Sequence, residues 1–132
     1  MTTHNIETIL QGALQFRYED AHLEIDLAEK RVYLDSQRLP LTHKEYELLS
    51  LLVENAGEVV PREVLLMRVW GYGAAIRTRT LDVHVRRLRK HLGSYSDQYI
   101  ETICRIGYRF QPFRTSRPFR SVAPVAEIAL TA

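Results

Sequence analysis

The stretch Thr78-Arg79-Thr80-Leu81-Asp82-Val83-His84-Val85-Arg86-Arg87-Leu88-Arg89-Lys90-His91-Leu92 decides how the rest of the chain is read. At about 100° per residue, Leu81, Val85, Leu88 and Leu92 fall on one stripe, the pattern of a helix laid on a core. The opposite arc, about 140–240° from Leu81, carries Arg86, Arg79, Lys90, Val83 and Arg87. Four cations therefore share an outward face with a β-branched apolar residue that helix propensity slightly disfavours. A solvated surface helix accounts for the charges but has no use for the valine. A helix seated in a major groove uses both, because Arg can donate twice to guanine O6/N7 and an apolar side chain can meet a thymine methyl. Arg79 and Thr80 stand by the free N–H groups of the helix start, where a phosphate is favoured. Asp82, in the first turn, has a structural reading through the helix dipole. His84 and His91 are seven apart, which is not the spacing of a metal pair. His84 reads as a phosphate or base neighbour or as nothing, and His91 as a surface residue.

Charge along the chain points the same way. The 132 residues carry a net +2, yet residues 1–63 sum to −6 and residues 64–132 to +8. Six cations (Arg77, Arg79, Arg86, Arg87, Arg89, Lys90) meet one anion, Asp82, within residues 77–92. A field so concentrated suits a polyanionic partner, most often nucleic acid. One cysteine among five scattered histidines supplies neither a disulfide framework nor zinc-ligand spacing, so no metal or other cofactor is expected. There is no membrane-length apolar run and no signal-peptide pattern, and a soluble cytoplasmic protein is the expectation. An enzyme is not expected: the chain has no Gly-rich phosphate loop, no nucleophile with a placed base and no paired carboxylates.

Working outward, residues 1–15 repeat Ile6, Ile9, Leu10, Ala13 and Leu14 at helical spacing, a short helix or an arm weakened by Gly12. Residues 16–41 read as short antiparallel strands: Phe16 and Tyr18, then Leu23, Ile25 and Leu27, then Arg31–Leu34 and Gln37–Pro40, with turns near Ala28–Lys30 and at Asp35-Ser36. From Thr42 the period becomes helical. Thr42-His43-Lys44-Glu45 is a capping box flanked by Leu41 and Tyr46 at the staple positions, with Leu49, Leu52 and Val53 inward and Asn55-Ala56-Gly57 as the stop. A second helix begins at Pro61 or Arg62, buries Leu65, Leu66 and Val69, and ends near Trp70-Gly71. The third runs from Thr78 to Leu92, stopped by Gly93. Tyr99–Ile103 and Ile106–Phe110 form a hairpin. This order is that of an α+β winged helix-turn-helix with an N-terminal antiparallel sheet, a three-helix core and a C-terminal β-hairpin wing. The expected divisions are an arm at 1–15, the domain at 16–111 and a disordered tail at 112–132.

Taken together, Leu41-Thr42-His43-Lys44-Glu45-Tyr46-Glu47-Leu48-Leu49, Arg62-Glu63, Val69-Trp70-Gly71, Arg79 to Lys90, and Gly107-Tyr108-Arg109-Phe110 resemble the OmpR/PhoB-type effector domain of bacterial response regulators, the output half of two-component phosphorelays. The resemblance spans residues 16–111. It implies a transcription regulator that puts the third helix in the major groove of double-stranded DNA and the wing at the minor groove, binding direct repeats as head-to-tail pairs. Carried over by position, Trp70, Arg79, Thr80, Arg86 and Thr102 would touch phosphates, while Val83, His84, Arg87 and Arg89 would approach base edges, with Lys90 on the same face. The Gly71–Arg77 loop would offer Tyr72 and Ile76 to RNA polymerase, or act as a plain connector.

Three departures from the family pattern stand out. The receiver domain and its acidic phosphoacceptor cluster are absent, which leaves an excised domain or a stand-alone regulator, the initiating Met favouring the second. The wing reads Thr102-Ile103-Cys104-Arg105-Ile106, so the family's minor-groove arginine is Cys104 and its turn glycine is Arg105. Arg105 is expected to substitute for the arginine and to change the turn geometry, since Arg tolerates positive φ poorly. Pro61 occupies the usual capping position, so the second helix is expected to carry Pro in its first turn. Cys104 is read as an incidental small residue in preference to a redox switch. The competing function is a winged-helix protein–protein interaction module with little sequence-specific DNA binding.

Overall fold

The computed structural model describes residues 17–73 and 76–113, in two compact units that divide between Arg38 and Leu39. The first unit holds four antiparallel strands in sequential order: β1 (Arg17–Glu19), β2 (Leu23–Asp26), β3 (Arg31–Leu34) and β4 (Gln37–Arg38). Period-two alternation buries Tyr18, Leu23, Ile25 and Val32 on one face. Each turn has a local cause. The Asp20 carboxylate accepts from the backbone N–H groups of His22 (3.0 Å) and Leu23 (2.9 Å), closing the first hairpin. Asp35 and Ser36, both at positive φ, make the two-residue loop that matches strand twist between Leu34 and Gln37. The β4 strand is shorter than the sequence pattern suggests, ending at Arg38, so Pro40 lies beyond it.

The second unit opens with helix α1 (His43–Glu54). Its predicted capping box is present: the Thr42 hydroxyl accepts from Glu45 N (3.2 Å), and the Glu45 carboxylate accepts from Thr42 N (3.0 Å). A strand absent from the sequence reading follows, β5 (Val59–Pro61). Helix α2 (Arg62–Leu65) continues as a π-helical turn, Leu66–Trp70, closed by Gly71 at φ 75°. Pro61 precedes this helix as its extended cap residue, φ −62° and ψ 149°, rather than sitting in the first turn. Helix α3 spans Thr80–Leu92, two residues shorter at its start than the periodicity implies, because the Thr78 hydroxyl accepts from Thr80 N (3.1 Å) and ends the helix there. A 3₁₀ turn (Gly93–Tyr95) and a short helix α4 (Ser96–Tyr99) lead to β6 (Ile100–Ile103) and β7 (Gly107–Phe110).

The wing is thus a three-stranded antiparallel sheet, β5-β7-β6, rather than a free hairpin. Its tightest point is Gly107, opposite Pro61: a Cβ there would stand 2.0 Å from the Val60 carbonyl oxygen. Leu48, Leu49, Leu52, Leu65, Leu81, Leu88, Leu92 and Phe110 are fully buried or nearly so and form the core of this unit, with α1 packed on α3. Phe113, assigned by the sequence reading to the tail, sets its ring against Tyr95 (5.6 Å between centroids) and Tyr99 (5.8 Å). The expected N-terminal arm, Phe16 and residues 114–132 lie outside the described residues.

Candidate nucleic-acid interface

Helix α3 has the two faces its sequence requires. Leu81, Val85, Leu88 and Leu92 are at most 1% exposed. On the far side Arg86, Arg87 and Lys90 are exposed, and Val83 remains 39% exposed among them. Arg79 is also exposed, at the cap position of the helix. Thr80 is half-buried, its hydroxyl 2.7 Å from that of Thr78.

The two flanks of α3 are tied to different neighbours. On one flank, Asp82 accepts from both Arg62 guanidinium nitrogens (2.7 and 3.3 Å) and from the Tyr108 hydroxyl (2.7 Å). One carboxylate therefore joins α3 to the start of α2 and to β7. The Arg62 guanidinium holds the Asp82 carboxyl below its ordinary range, against the opposing pull of desolvation, and the Tyr108 hydroxyl adds to the lowering. Burial, followed by the bond to Asp82, pushes the Tyr108 hydroxyl up. The sequence reading gave Asp82 a structural role through the helix dipole and missed these partners. The paired motifs Arg62-Glu63 and Gly107-Tyr108 were the available signal.

Arg89 lies on the same flank, near 80° on the helical wheel against about 190° for the centre of the outward face. Its guanidinium turns toward the wing, donating to the Ile100 carbonyl (3.0 Å) and the Thr102 hydroxyl (2.7 Å) and lying 5.8 Å from the Tyr108 ring centroid. The family resemblance places Arg89 at a base edge; here its guanidinium fixes β6. Thr102 is exposed, and because its oxygen accepts from Arg89, its own proton is left to donate outward.

On the other flank His84 is half-buried. Its ring packs edge-on against Trp70, 4.8 Å between centroids, and its Nδ1 lies 2.8 Å from the Thr80 carbonyl. The Trp70 indole N–H has no hydrogen-bond partner among the described residues. The π turn that carries Trp70 is held by Lys44, whose ammonium donates to the Val69 carbonyl at 2.7 Å. His91 is not the simple surface residue expected from sequence: its Nε2 stands 3.6 Å from the carboxylate of Glu45, which is 3% exposed.

At the wing tip the Ile106 N–H donates to the Ile103 carbonyl (2.9 Å), closing a turn with Arg105 at φ 66°. The expectation that Arg105 avoids positive φ fails. Arg105 takes the left-handed conformation, since strand pairing of Ile103 with Gly107 leaves only three residues to reverse the chain. Arg105, Cys104 and Ile106 are all exposed. Beyond Gly71, Tyr72 is half-buried and Ile76 is 50% exposed. Among the described residues no group of His, Cys, Asp or Glu could hold a metal, and no helix is long and apolar enough to cross a membrane.

The family described as "Transcriptional regulatory protein, C terminal" matches residues 36–110. The transcriptional regulatory protein SrrA of Staphylococcus aureus is 42% identical over 120 residues, covering 89% of this chain and 48% of SrrA, so the chain spans about half the length of the curated relatives it matches. Among solved structures, the Thermotoga maritima response regulator DrrB, an OmpR/PhoB homologue, is 37% identical with a TM-score of 0.66 over 73% of this chain and 44% of its own. The Klebsiella pneumoniae RstA DNA-binding domain, solved in complex with the RstA box, is 28% identical with a TM-score of 0.67, covering 74% of this chain and 98% of its own.

Proposed function

The chain belongs to the family of transcriptional regulatory protein C-terminal domains, DNA-binding domains of the OmpR/PhoB type, and from that premise we propose that it reads double-stranded DNA sequence-specifically, with α3 in the major groove and the β6–β7 turn at the minor groove. The observation that carries this reading is the outward face of α3, where Val83 stays exposed among Arg86, Arg87 and Lys90 while the inward stripe is sealed. Val83 and Arg87 meet base edges. Arg79, Thr80, Arg86, Thr102 and the Trp70 indole N–H hold phosphates on both sides of the groove. Arg105 supplies the minor-groove cation. Two copies bind direct half-sites head to tail, and the loop with Tyr72 and Ile76 is the surface for RNA polymerase.

The test is selection of bound sequences from a random duplex library, run beside Arg86→Ala/Arg87→Ala. The expected product is a motif with two direct half-sites about one helical turn apart, lost in the double variant. Weak, sequence-blind binding would point to the altered wing and leave specificity to a partner protein; no binding at low salt would favour a protein-interaction module instead.

A further inference from the structure

We infer that His84 binds a DNA phosphate only as an imidazolium, so that docking of α3 takes up one proton. The inference rests on the DNA-binding reading above and follows from what each ring nitrogen can do. A backbone carbonyl oxygen only accepts, so the 2.8 Å contact of Nδ1 with the Thr80 carbonyl requires that Nδ1 carry a proton. In the neutral ring Nε2 is then a bare acceptor. The opposite neutral tautomer would set two lone pairs against each other at 2.8 Å.

Position decides what Nε2 meets. His84 lies about 110° around the helix from the centre of the outward face, on the flank shared with Trp70. A helix in a major groove turns its central face to the bases and its flanks to the phosphate walls. Phosphate oxygens also only accept. A neutral His84 would therefore face the wall lone pair to lone pair, whereas the imidazolium donates from Nε2 while Nδ1 keeps Thr80. Nε2 has no hydrogen-bond partner among the described residues.

The surroundings of His84 set it apart from the other three described histidines. His22, His43 and His91 each stand against a carboxylate of the protein, Asp35, Glu47 and Glu45. His84 has no carboxylate partner among the described residues. Its own helix carries Arg86 and Arg87 and, about 160° around the wheel, Asp82, which is engaged by Arg62 and Tyr108. The π turn carries Arg68, and Lys44 of α1, bonded beside Trp70, is paired with Glu47 at 3.1 Å. With these carboxylates already engaged, the counter-charge that an imidazolium needs comes from the DNA. The proton comes from solvent, and no other bond is made or broken.

The experiment measures affinity for the selected duplex at constant salt between about pH 5 and 8, the range in which histidine changes charge. It compares the wild-type chain with His84→Gln, whose amide can donate to phosphate without titrating. Wild-type affinity is expected to fall by up to tenfold per pH unit as pH rises, while the variant falls less steeply by close to one proton's worth of slope. Nitrogen-15 imidazole shifts give a second readout: His84 is expected to be doubly protonated in the complex with duplex. Equal pH slopes in the two proteins, or a neutral His84 ring in the complex, would overturn the proton coupling and leave sequence-specific binding intact. A chain that binds no duplex at any pH would overturn the DNA-binding reading and this inference with it.

Discussion

At the scale of single residues, Asp82 and Arg105 separate stability from binding. Asp82 is held by Arg62 and Tyr108, and its folded-state pKa lies below the ordinary carboxylate value. Its stabilising contribution is therefore full well above that value and is lost as pH falls through the lower folded-state value. The carboxylate is half exposed, so solvent screening leaves the pairing worth about 0.5–1 kcal/mol. Asp82→Asn should lower Tm at pH 7 and converge on wild type as pH falls below the ordinary carboxylate range, which thermal melts at neutral and acid pH would check. Arg105 bears the cost of a left-handed conformation, about 1–2 kcal/mol for a residue with a Cβ. Glycine relieves it but regains about 0.4–1 kcal/mol of freedom in the unfolded chain. Arg105→Gly should thus melt no lower than wild type while binding DNA more weakly, opposite signs in two measurements on one protein.

At the scale of elements, the two faces of α3 make opposite predictions. Leu88 is fully buried, and Leu88→Ala should cost about 2–5 kcal/mol in urea unfolding. Val83→Ala should change stability by less than about 0.5 kcal/mol yet flatten base preference at one position of the selected motif. Gly107 tests the wing as a sheet. A methyl there meets the Val60 carbonyl oxygen at 2.0 Å and Pro61 Cα at 2.9 Å, both backbone. Gly107→Ala must push β5 and β7 apart and should cost about 1–3 kcal/mol, the range of an overpacked core. Helical elements were legible in sequence because a 3.6-residue period repeats over three turns in α1 and α3. Strand β5 was not, since Val59–Pro61 is too short to alternate and ends in proline. The π turn at Leu66–Trp70 carries no periodic mark of its own, and its end is held by Lys44 from another helix.

At the scale of the whole molecule, a chain of net +2 places six of its cations within residues 77–92. Binding to DNA should therefore weaken steeply with salt, by about 0.9 in log affinity per log salt for each phosphate neutralised. Arg86→Ala should reduce that slope by about one phosphate and weaken all sequences alike, whereas Arg87→Ala should relax preference at one base pair with a smaller change in slope. Equal effects of the two substitutions would mean that the face does not divide into phosphate and base contacts as assigned.

The sequence by itself determined the buried stripes, the capping box at Thr42, the cationic face of α3 and the order of helices and wing, because each is written in residues that are neighbours along the chain or one helical turn apart. Only the tertiary structure decided what holds that face in place. The Asp82 hub joins residues 20 and 26 positions apart, Arg89 reaches 13 positions to Thr102, and Lys44 reaches 25 to Val69. The left-handed Arg105 likewise depends on the pairing of Ile103 with Gly107 across the hairpin. Periodicity along a chain says which way a side chain faces; which partner it meets is fixed by packing of distant segments, and local sequence carries no record of that.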